Sequence, residues 1–191
     1  MEDKVIIITA PSGAGKTTLV KLLLEKNKNL AFSVSACTRG RRENEIDGKD
    51  YYFIDSVTFQ NKIREDAFIE YEEVYPGNYY GTLKTEIQNL WNNNKIVVFD
   101  IDVQGAMRIK RKLKEKALSI FIKPPSKEIL IKRLKDRKTE TDEMIQRRID
   151  KADKELDYVM SFDFCIVNDS LEVAYNELEG IVHKFINKGT V

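Results

Sequence analysis

Apolar residues along this chain form short continuous runs that alternate with stretches in which they recur every three or four positions. The continuous runs predict strands buried on both faces, at Val5–Thr9, 31–35, Ile96–Asp100, 117–122 and 163–167. The recurring pattern predicts helices at Lys16–Lys26, 83–93, 103–112 and 171–186. Strands that alternate with helices indicate an α/β fold, in which helices cover both faces of a parallel sheet.

Two stretches interrupt this alternation. Residues from about 33 to 82 are rich in Arg, Tyr and Gly and contain strand-like pieces at 51–54 and 68–74. Residues from about 126 to 157 are highly charged and helical in pattern, and they follow the breaker Pro124-Pro125. We interpret both stretches as insertions mounted on the sheet, each a candidate moving flap.

Composition narrows the class of protein. A chain of 191 residues suits one compact domain, and a net charge of +1 gives no overall field to attract nucleic acid or a membrane. The two cysteines, Cys37 and Cys165, lie far apart and lack metal-ligand spacing, which suits a reducing compartment. Glu2 and Asp3 precede the first apolar run, unlike the basic start of a signal peptide. We therefore predict a cytoplasmic protein with neither membrane nor nucleic-acid partners.

Residues 10–17, Ala-Pro-Ser-Gly-Ala-Gly-Lys-Thr, match the phosphate-loop pattern G-x-x-x-x-G-K-[ST], except that Ala10 replaces the first glycine. A predicted strand precedes the motif and a predicted helix follows it, which is the context that separates a phosphate loop from a chance tight turn. Lys16 is expected to reach the terminal phosphates of ATP, and the Thr17 hydroxyl to ligate Mg²⁺. The predicted ATP contacts within the loop are Ser12, Gly13, Ala14, Gly15, Lys16, Thr17 and Thr18.

Two carboxylates end the run Ile96–Asp100 and its continuation. Asp100 and Asp102 are two residues apart, so they project from one face at the carboxyl end of a strand, where α/β sheets bind ligands. They can hold Mg²⁺ directly or through water, or grip a substrate. The alternative is a solvated pair, with Asp102 well placed to cap the helix that follows. We assign Asp102, with Thr17, to the Mg²⁺ side of the site.

A family resemblance begins in the first insertion. Residues 33–51 carry Ser-Val-Ser, then Thr-Arg, a second Arg, Glu, Asp-Gly and Tyr, a pattern that closely resembles the GMP-binding segment of guanylate kinases. Further matches follow in the family's order at 68–71, 77–82, 100–105, 124–126 and 166–169. The resemblance therefore covers nearly the whole chain, from about residue 5 to residue 186.

The resemblance implies a P-loop NTPase-type parallel sheet of about five strands, flanked by helices and carrying two inserts. We expect a single domain, 1–191, with a GMP-binding insertion at 33–82 and a helical lid at 126–157. The core would then comprise 1–32, 83–125 and 158–191.

The implied site for the phosphate of GMP lies in the first insertion. Arg39 and Arg42 offer planar forks for a phosphate dianion, and Tyr51 and Tyr80 add uncharged phenolic donors. The resemblance also places Glu45 in the GMP-binding set. The alternative for these residues is a pair of solvent-facing arginines above two core tyrosines.

Glu70 is the implied reader of the base. Guanine presents N1–H and an exocyclic amine side by side, and one carboxylate can accept both hydrogen bonds. Ser35 and Thr82 supply hydroxyls that can donate to the guanine, and the resemblance places Asp100 nearby. The alternative is that Glu70 is an ordinary surface residue of a strand.

The second insertion contributes the implied lid cations. Arg133 and Arg137 lie four residues apart, and therefore on one face of a helix, while Arg148 matches a further family arginine. The resemblance assigns these three, with Lys16 and Arg39, to catalysis, and Arg133, Arg137 and Asn168 to ATP binding. Charged helices are also commonly just solvated, and Asn168 has an equally good local reason in a turn with Asp169.

The implied activity is Mg²⁺-dependent transfer of a phosphoryl group from ATP to GMP, and to dGMP, giving GDP and ADP. Three alternatives remain open at this point: a kinase of another phosphorylated acceptor such as a ribose bisphosphate, a non-catalytic guanylate-kinase-like binding module, and a nucleic-acid-binding protein. The intact loop residues Gly13, Gly15, Lys16 and Thr17 argue against the second, and the absence of a basic stripe argues against the third. Whether the protein is a monomer or a homo-oligomer is left undecided by the sequence.

Overall fold

A computed structural model describes residues 3–136 and 142–187 of the chain. The strands in these residues are β1 (Val5–Thr9), β2 (Leu30–Phe32), β3 (Ala36–Cys37), β4 (Tyr52–Phe53), β5 (Phe68–Tyr75), β6 (Asn78–Leu83), β7 (Ile96–Asp100), β8 (Ala117–Lys123) and β9 (Phe164–Val167). The α-helices are α1 (Lys16–Lys26), α2 (Ser56–Arg64), α3 (Lys84–Asn92), α4 (Val103–Leu113), α5 (Lys127–Lys135), α6 (Asp142–Leu156) and α7 (Leu171–Asn187).

The central sheet has five parallel strands in the order β2-β7-β1-β8-β9. All five predicted core strands are present, and their positions differ from the prediction by a few residues at most. Every residue of β1 is fully buried, which is why its apolar run is unbroken. Because β1 and β7 are neighbours in parallel register, the phosphate loop and Asp100 leave the sheet side by side.

Side chains alternate between the two faces of β1, so the strand contributes to two hydrophobic cores, one on each face of the sheet. Ile6 and Ile8 pack with Leu19 of α1 and Leu178 of α7 on one face. On the other face, Val5 and Ile7 pack against α3 and α4. The predicted helices 16–26, 83–93, 103–112 and 171–186 are confirmed as α1, α3, α4 and α7, with ends shifted by no more than one residue.

The first insertion folds as a second sheet of four strands in the order β4-β3-β6-β5. A small core of its own forms around Phe59 of α2, which stacks on Phe68 of β5 at 4.4 Å between ring centroids. The sequence patterns did not predict α2, β3 or β6. Asp55 caps α2 by accepting from the Thr58 backbone N–H at 2.8 Å, a start signal that could have revealed this helix.

In the described residues of the second insertion, the predicted helical character is present as α5 and α6. Ser126 caps α5 by accepting from the Ile129 backbone N–H. The two helices enclose a separate small core of Leu130, Leu134, Ile145, Ile149 and Ala152. Within residues 3–136 and 142–187, none of the helices combines the length and apolar character needed to cross a membrane.

Candidate active site

The phosphate loop joins β1 to α1 and depends on two glycines in left-handed backbone conformations. Gly13 has φ of 92° and Gly15 has φ of 89°, values that residues with a Cβ adopt only at a cost. The Ala14 N–H donates to the Pro11 carbonyl at 3.1 Å and closes a turn. Gly15 is the N-cap of α1, so the open end of this helix faces the loop and favours an anion there.

Asn168 supports the loop from the end of β9. Its side chain is 5% exposed, and its Nδ2 donates to the Ala14 carbonyl at 2.7 Å. Its own backbone N–H donates to the Lys123 carbonyl, which fixes the residue against β8. The structure thus gives Asn168 a role in holding the loop, while the predicted contact with adenine stays a prediction.

Replacing Gly15 by alanine is expected to lower the free energy of unfolding by about 1–3 kcal/mol and to abolish detectable ATP binding. The added Cβ would lie 2.2 Å from Asn168 Nδ2, on a backbone with positive φ. Urea unfolding and titration with a fluorescent ATP analogue measure the two effects. Gly180→Ala is the control, because a Cβ there meets nothing within 4 Å and α7 should gain up to ~1 kcal/mol. Equal effects of the two substitutions would contradict this account.

Lys16 and Asp100 form an ion pair at the junction of the loop with β7. Their side chains are only 17% and 18% exposed. Burial lowers the pKa of Lys16 from 10.5 to about 8, and the nearby Glu155 and Asp102 carboxylates oppose this shift. The ammonium group is therefore held in the cleft by a carboxylate that an incoming phosphate can replace.

Asp102 caps α4, as predicted, by accepting from the Gly105 N–H through Oδ1 at 2.7 Å. It also lines the cleft beside the phosphate loop, together with Thr17. In the part of the chain that the structure describes, no three His, Cys, Asp or Glu side chains are arranged to hold a metal ion. A cation here would therefore need ligands from a bound phosphate as well as from the protein.

Glu70 is a buried carboxylate on β5, with 6% of the residue exposed. Its Oε1 accepts from the Thr82 hydroxyl at 2.9 Å, and the Thr82 hydroxyl is 3.4 Å from the Ser35 hydroxyl. Burial raises the pKa of Glu70 from 4.5 to about 7, although the Thr82 hydrogen bond pulls the other way. Gly105 of α4 lies directly against it, since a Cβ there would be 2.9 Å from Glu70 Oε2.

Arg39 lies in the first insertion, where the side chains of Glu45, Tyr51 and Tyr80 form a cage around its guanidinium group. Its terminal nitrogens donate to Glu45 at 2.7 and 2.5 Å, and its Nε donates to the Tyr80 hydroxyl at 3.1 Å. Its guanidinium stacks over the Tyr51 ring. The paired Arg39 lowers the pKa of Glu45 to about 2. Arg42 is exposed, and its backbone N–H also donates to Glu45.

Two of the three arginines predicted for the lid contact the phosphate loop or the residue that supports it. Arg148 donates to the Ser12 hydroxyl at 2.6 Å, which ties α6 to the loop. Arg133 donates to the Asn168 carbonyl at 3.0 Å, and its other terminal nitrogen is buried without a hydrogen-bond partner among the described residues. Arg137, the remaining predicted lid cation, lies outside the described residues.

Two clefts meet at the carboxyl edge of the central sheet. The first, of about 390 Å³, is lined by the phosphate loop, and the second, of about 270 Å³, is lined by Glu70, Ser35 and Tyr80. Residues that line both clefts are Tyr51, Asp100, Ile101, Asp102 and Lys151. Lys151 and its neighbour Glu155 were not predicted from the sequence, because they belong to a helix whose many charges are typical of a solvated face.

Comparison with known proteins agrees with this geometry. The family model described as "Guanylate kinase" matches residues 2–185. The chain is 44% identical over 183 residues to a guanylate kinase of Chlorobium chlorochromatii, covering 96% of each protein. It is 45% identical over 186 residues to one of Porphyromonas gingivalis, covering 97% of this chain and 99% of the relative.

Solved structures give the same result. The crystal structure of guanylate kinase from Anaplasma phagocytophilum superposes with a TM-score of 0.75 at 30% identity, covering 94% of this chain and 84% of that one. A shikimate kinase of Bacteroides thetaiotaomicron, at 15% identity and a TM-score of 0.50 over 94% of this chain and 98% of that one, shares the fold alone. The fold is therefore of the P-loop NTPase type, as predicted, and the chain belongs to the guanylate kinase family.

Proposed function

We propose that this protein transfers the γ-phosphoryl group of ATP to GMP, and also to dGMP, giving ADP and GDP. The observation that carries this proposal is the meeting of two clefts over Asp100 and Asp102. One cleft contains the phosphate loop, and the other contains a buried carboxylate. A donor nucleotide and an acceptor nucleotide can thus be bound with their phosphates facing each other.

Glu70 would select the base. Thr82 already donates to Oε1, so an ionised carboxylate has its remaining lone pairs available to accept from guanine N1–H and the exocyclic amine. Adenine would present a lone pair at N1 to this buried acceptor, and such a mismatch costs a large factor in specificity. The Ser35 hydroxyl would complete recognition of the base, while Thr82, which donates its one hydroxyl proton to Glu70, would hold that carboxylate in place.

The phosphate of GMP would bind at the cage around Arg39. The two terminal nitrogens of that guanidinium donate to the Glu45 carboxylate. A phosphate dianion would share these same donors. Tyr51 and Tyr80 border the second cleft and can add neutral hydrogen bonds. Arg42 is exposed, its backbone N–H donates to Glu45, and its side chain would turn toward the same anion.

The reaction needs no general base. An oxygen of the GMP phosphate, whose second pKa is about 6, is largely ionised near neutral pH. This oxygen forms the new bond to the γ-phosphorus, and the bond from the γ-phosphorus to the β–γ bridging oxygen breaks, so that this oxygen leaves with ADP. Lys16, Arg39, Arg133 and Arg148, together with Arg137, would align the groups and neutralise the charge that develops.

Mg²⁺ would accompany ATP. The Thr17 hydroxyl and the Asp102 carboxylate line the same cleft and are the oxygen ligands that this ion prefers, with phosphate oxygens completing its shell. Bound Mg²⁺ supplies charge neutralisation at the β- and γ-phosphates. Asp102 retains one carboxylate oxygen for this purpose, since Oδ1 is used to cap α4.

The division of the chain into parts belongs to the same proposal. The first insertion, 33–82, would be the GMP-binding unit and the second, 126–157, the lid over ATP, both within one domain. Their separate small cores support this division. The two cysteines are free thiols, which suits the reducing cytoplasm that we propose as the location.

An acceptor panel tests the proposal. Purified protein with MgATP is offered GMP, dGMP, AMP, CMP, UMP and a ribose bisphosphate, and release of ADP is followed by a coupled assay. We expect GMP and dGMP to be consumed and AMP to be at least ~1,000-fold poorer in kcat/KM. Equal use of AMP would refute base selection, and use of the ribose bisphosphate alone would establish the other kinase class. Binding without turnover of any acceptor would indicate a non-catalytic module.

A further inference from the structure

Helix α6 presents one charged stripe to the cleft. Arg148, Lys151 and Glu155 are spaced three and four residues apart, which places them along one face of the helix. Arg148 contacts the loop at Ser12, and Glu155 lines the donor cleft. Lys151 lies between them and lines both the donor and the acceptor cleft.

Lys151 differs from the two described lid arginines in where it lies. Arg133 and Arg148 are in hydrogen bonds with Asn168 and Ser12, beside the donor loop, and neither lines the acceptor cleft. The side chain of Lys151 is 50% exposed at the junction. Its ammonium group is therefore available to phosphate oxygens approaching from either side.

The charges around this position explain how Lys151 is held at the junction. Its Nζ is 3.7 Å from Glu155 Oε1, and the Glu155 side chain is only 12% exposed. Burial raises the pKa of Glu155, while Lys151, and to a smaller extent Lys16, oppose that shift. Lys151 and Lys16 repel each other, since Lys151 lowers the pKa of Lys16. Two like charges thus converge on the space where the donor and acceptor phosphates would meet.

We propose that Lys151 is a catalytic residue that contacts phosphate groups of both nucleotides at once, and that Glu155 is its positioning residue. This inference rests on the proposed phosphoryl transfer to GMP. An ammonium group carries three donors at the end of a flexible stem, so it can donate to oxygens of two phosphates at once. Its contribution is greatest when both nucleotides are present, because the negative charge at the junction is then greatest.

Lys151→Met tests the proposal, with Lys132→Met as the control. Lys132 is an exposed lysine of α5 that lines neither cleft, so its loss removes the same charge from the lid without touching the site. We expect Lys151→Met to lower kcat on the order of 10- to 100-fold, and Lys132→Met to leave it unchanged. Circular dichroism and urea unfolding verify that both variants fold.

Binding measurements distinguish a contact of Lys151 with both nucleotides from a contact with only one of them. The probe is a bisubstrate nucleotide in which adenosine and guanosine are joined by five phosphates. Lys151→Met should weaken its Kd by at least ~10-fold and the Kd values of ATP alone and GMP alone by no more than ~3-fold. An equal loss for one single nucleotide and the bisubstrate would assign Lys151 to that nucleotide alone and overturn the proposal. Unchanged kcat would also overturn it.

Glu155→Gln tests positioning. We expect a fall in kcat in the otherwise unchanged protein and no further fall in the Lys151→Met background, because Glu155 acts through Lys151. Equal falls in both backgrounds would reject the positioning role. Failure of the proposed function is distinguishable, since the unsubstituted protein itself would then not convert GMP, whereas failure of the role of Lys151 leaves that conversion intact.

Discussion

Glu70→Gln is expected to lower kcat/KM for GMP on the order of 100-fold or more and to leave the KM for ATP within a factor of about 3. Thr82 donates to one oxygen of the Glu70 carboxylate. In the variant, the remaining side-chain oxygen would keep this bond, and the introduced amide nitrogen would face the two guanine donors. The loss in kcat/KM therefore arises because the amide N–H donors of the variant face the N–H donors of guanine in a buried site. Steady-state kinetics with each nucleotide varied in turn measures it.

The same substitution should stabilise the fold at alkaline pH. Burial raises the pKa of Glu70 from 4.5 to about 7, so between these values the folded protein binds more protons than the unfolded chain. The contribution of Glu70 to the stability of the unsubstituted protein is therefore complete below pH 4.5 and is lost as pH rises through 7. At 1.36 kcal/mol for each pH unit between 4.5 and about 7, the loss at pH 8 is on the order of 3 kcal/mol.

Urea unfolding at pH 8 and pH 4.5 checks this expectation. The variant should be the more stable protein at pH 8, and the difference should vanish at pH 4.5. Glu73→Gln is the matched control, because Glu73 is an exposed carboxylate of the same strand, hydrogen-bonded to the Gly77 N–H. A Glu70→Gln variant that is less stable at pH 8, or that consumes GMP normally, would contradict the roles assigned to this residue. Guanosine binding, free of phosphate titration, should weaken below pH 7 only in proteins that retain Glu70.

Lys16→Met is expected to lower kcat on the order of 100- to 1,000-fold, because it removes the ammonium group that would neutralise charge on the transferring phosphoryl group. Lys21→Met is the control, since Lys21 is an exposed lysine of the same helix. Single-turnover measurements with saturating nucleotides separate this loss from weaker ATP binding. Normal turnover by Lys16→Met would contradict a catalytic role for the lysine of the phosphate loop.

The pH profile of the unsubstituted protein should report the same lysine. Burial lowers the pKa of Lys16 to about 8, so kcat/KM for ATP should decline as pH rises above that value and the free protein loses this charge. Lys16→Met should show a flat profile in this range. A decline that persists in the variant would point to another group.

The central sheet was predictable because each of its strands is marked by a short run of apolar residues in the sequence. A strand buried on both faces is apolar over most of its length, so β1 and β7, which are apolar up to Thr9 and Asp100, can be recognised from their composition alone. The phosphate loop and the Asp102 cap are likewise set by short-range rules, which the structure satisfies at Gly13, Gly15 and Gly105. The first insertion was less predictable, since β3 and β4 are two residues long and are defined by pairing with distant segments.

The candidate site was predictable where a motif or the family resemblance named it, and unpredictable where only the fold brings residues together. Nothing local distinguishes Lys151 and Glu155 from the other charges of α6. The pairing of Lys16 with Asp100 depends on β1 and β7 being neighbours. The sequence offered a turn or a base contact for Asn168, and the contact of its amide with the Ala14 carbonyl, which the structure shows, was not predicted.

The contacts of Asn168, Arg133 and Arg148 affect the entropy that the phosphate loop loses when it binds an anion. These side chains hold the Ala14 carbonyl, the Asn168 carbonyl and the Ser12 hydroxyl through bonds within the protein itself. A loop braced in this way has little conformational entropy left to lose when a triphosphate arrives, so more of the binding energy remains available for affinity. The bracing residues follow β9 or lie in α5 and α6, so distant parts of the chain's second half share in preorganising a loop that belongs to its first twenty residues.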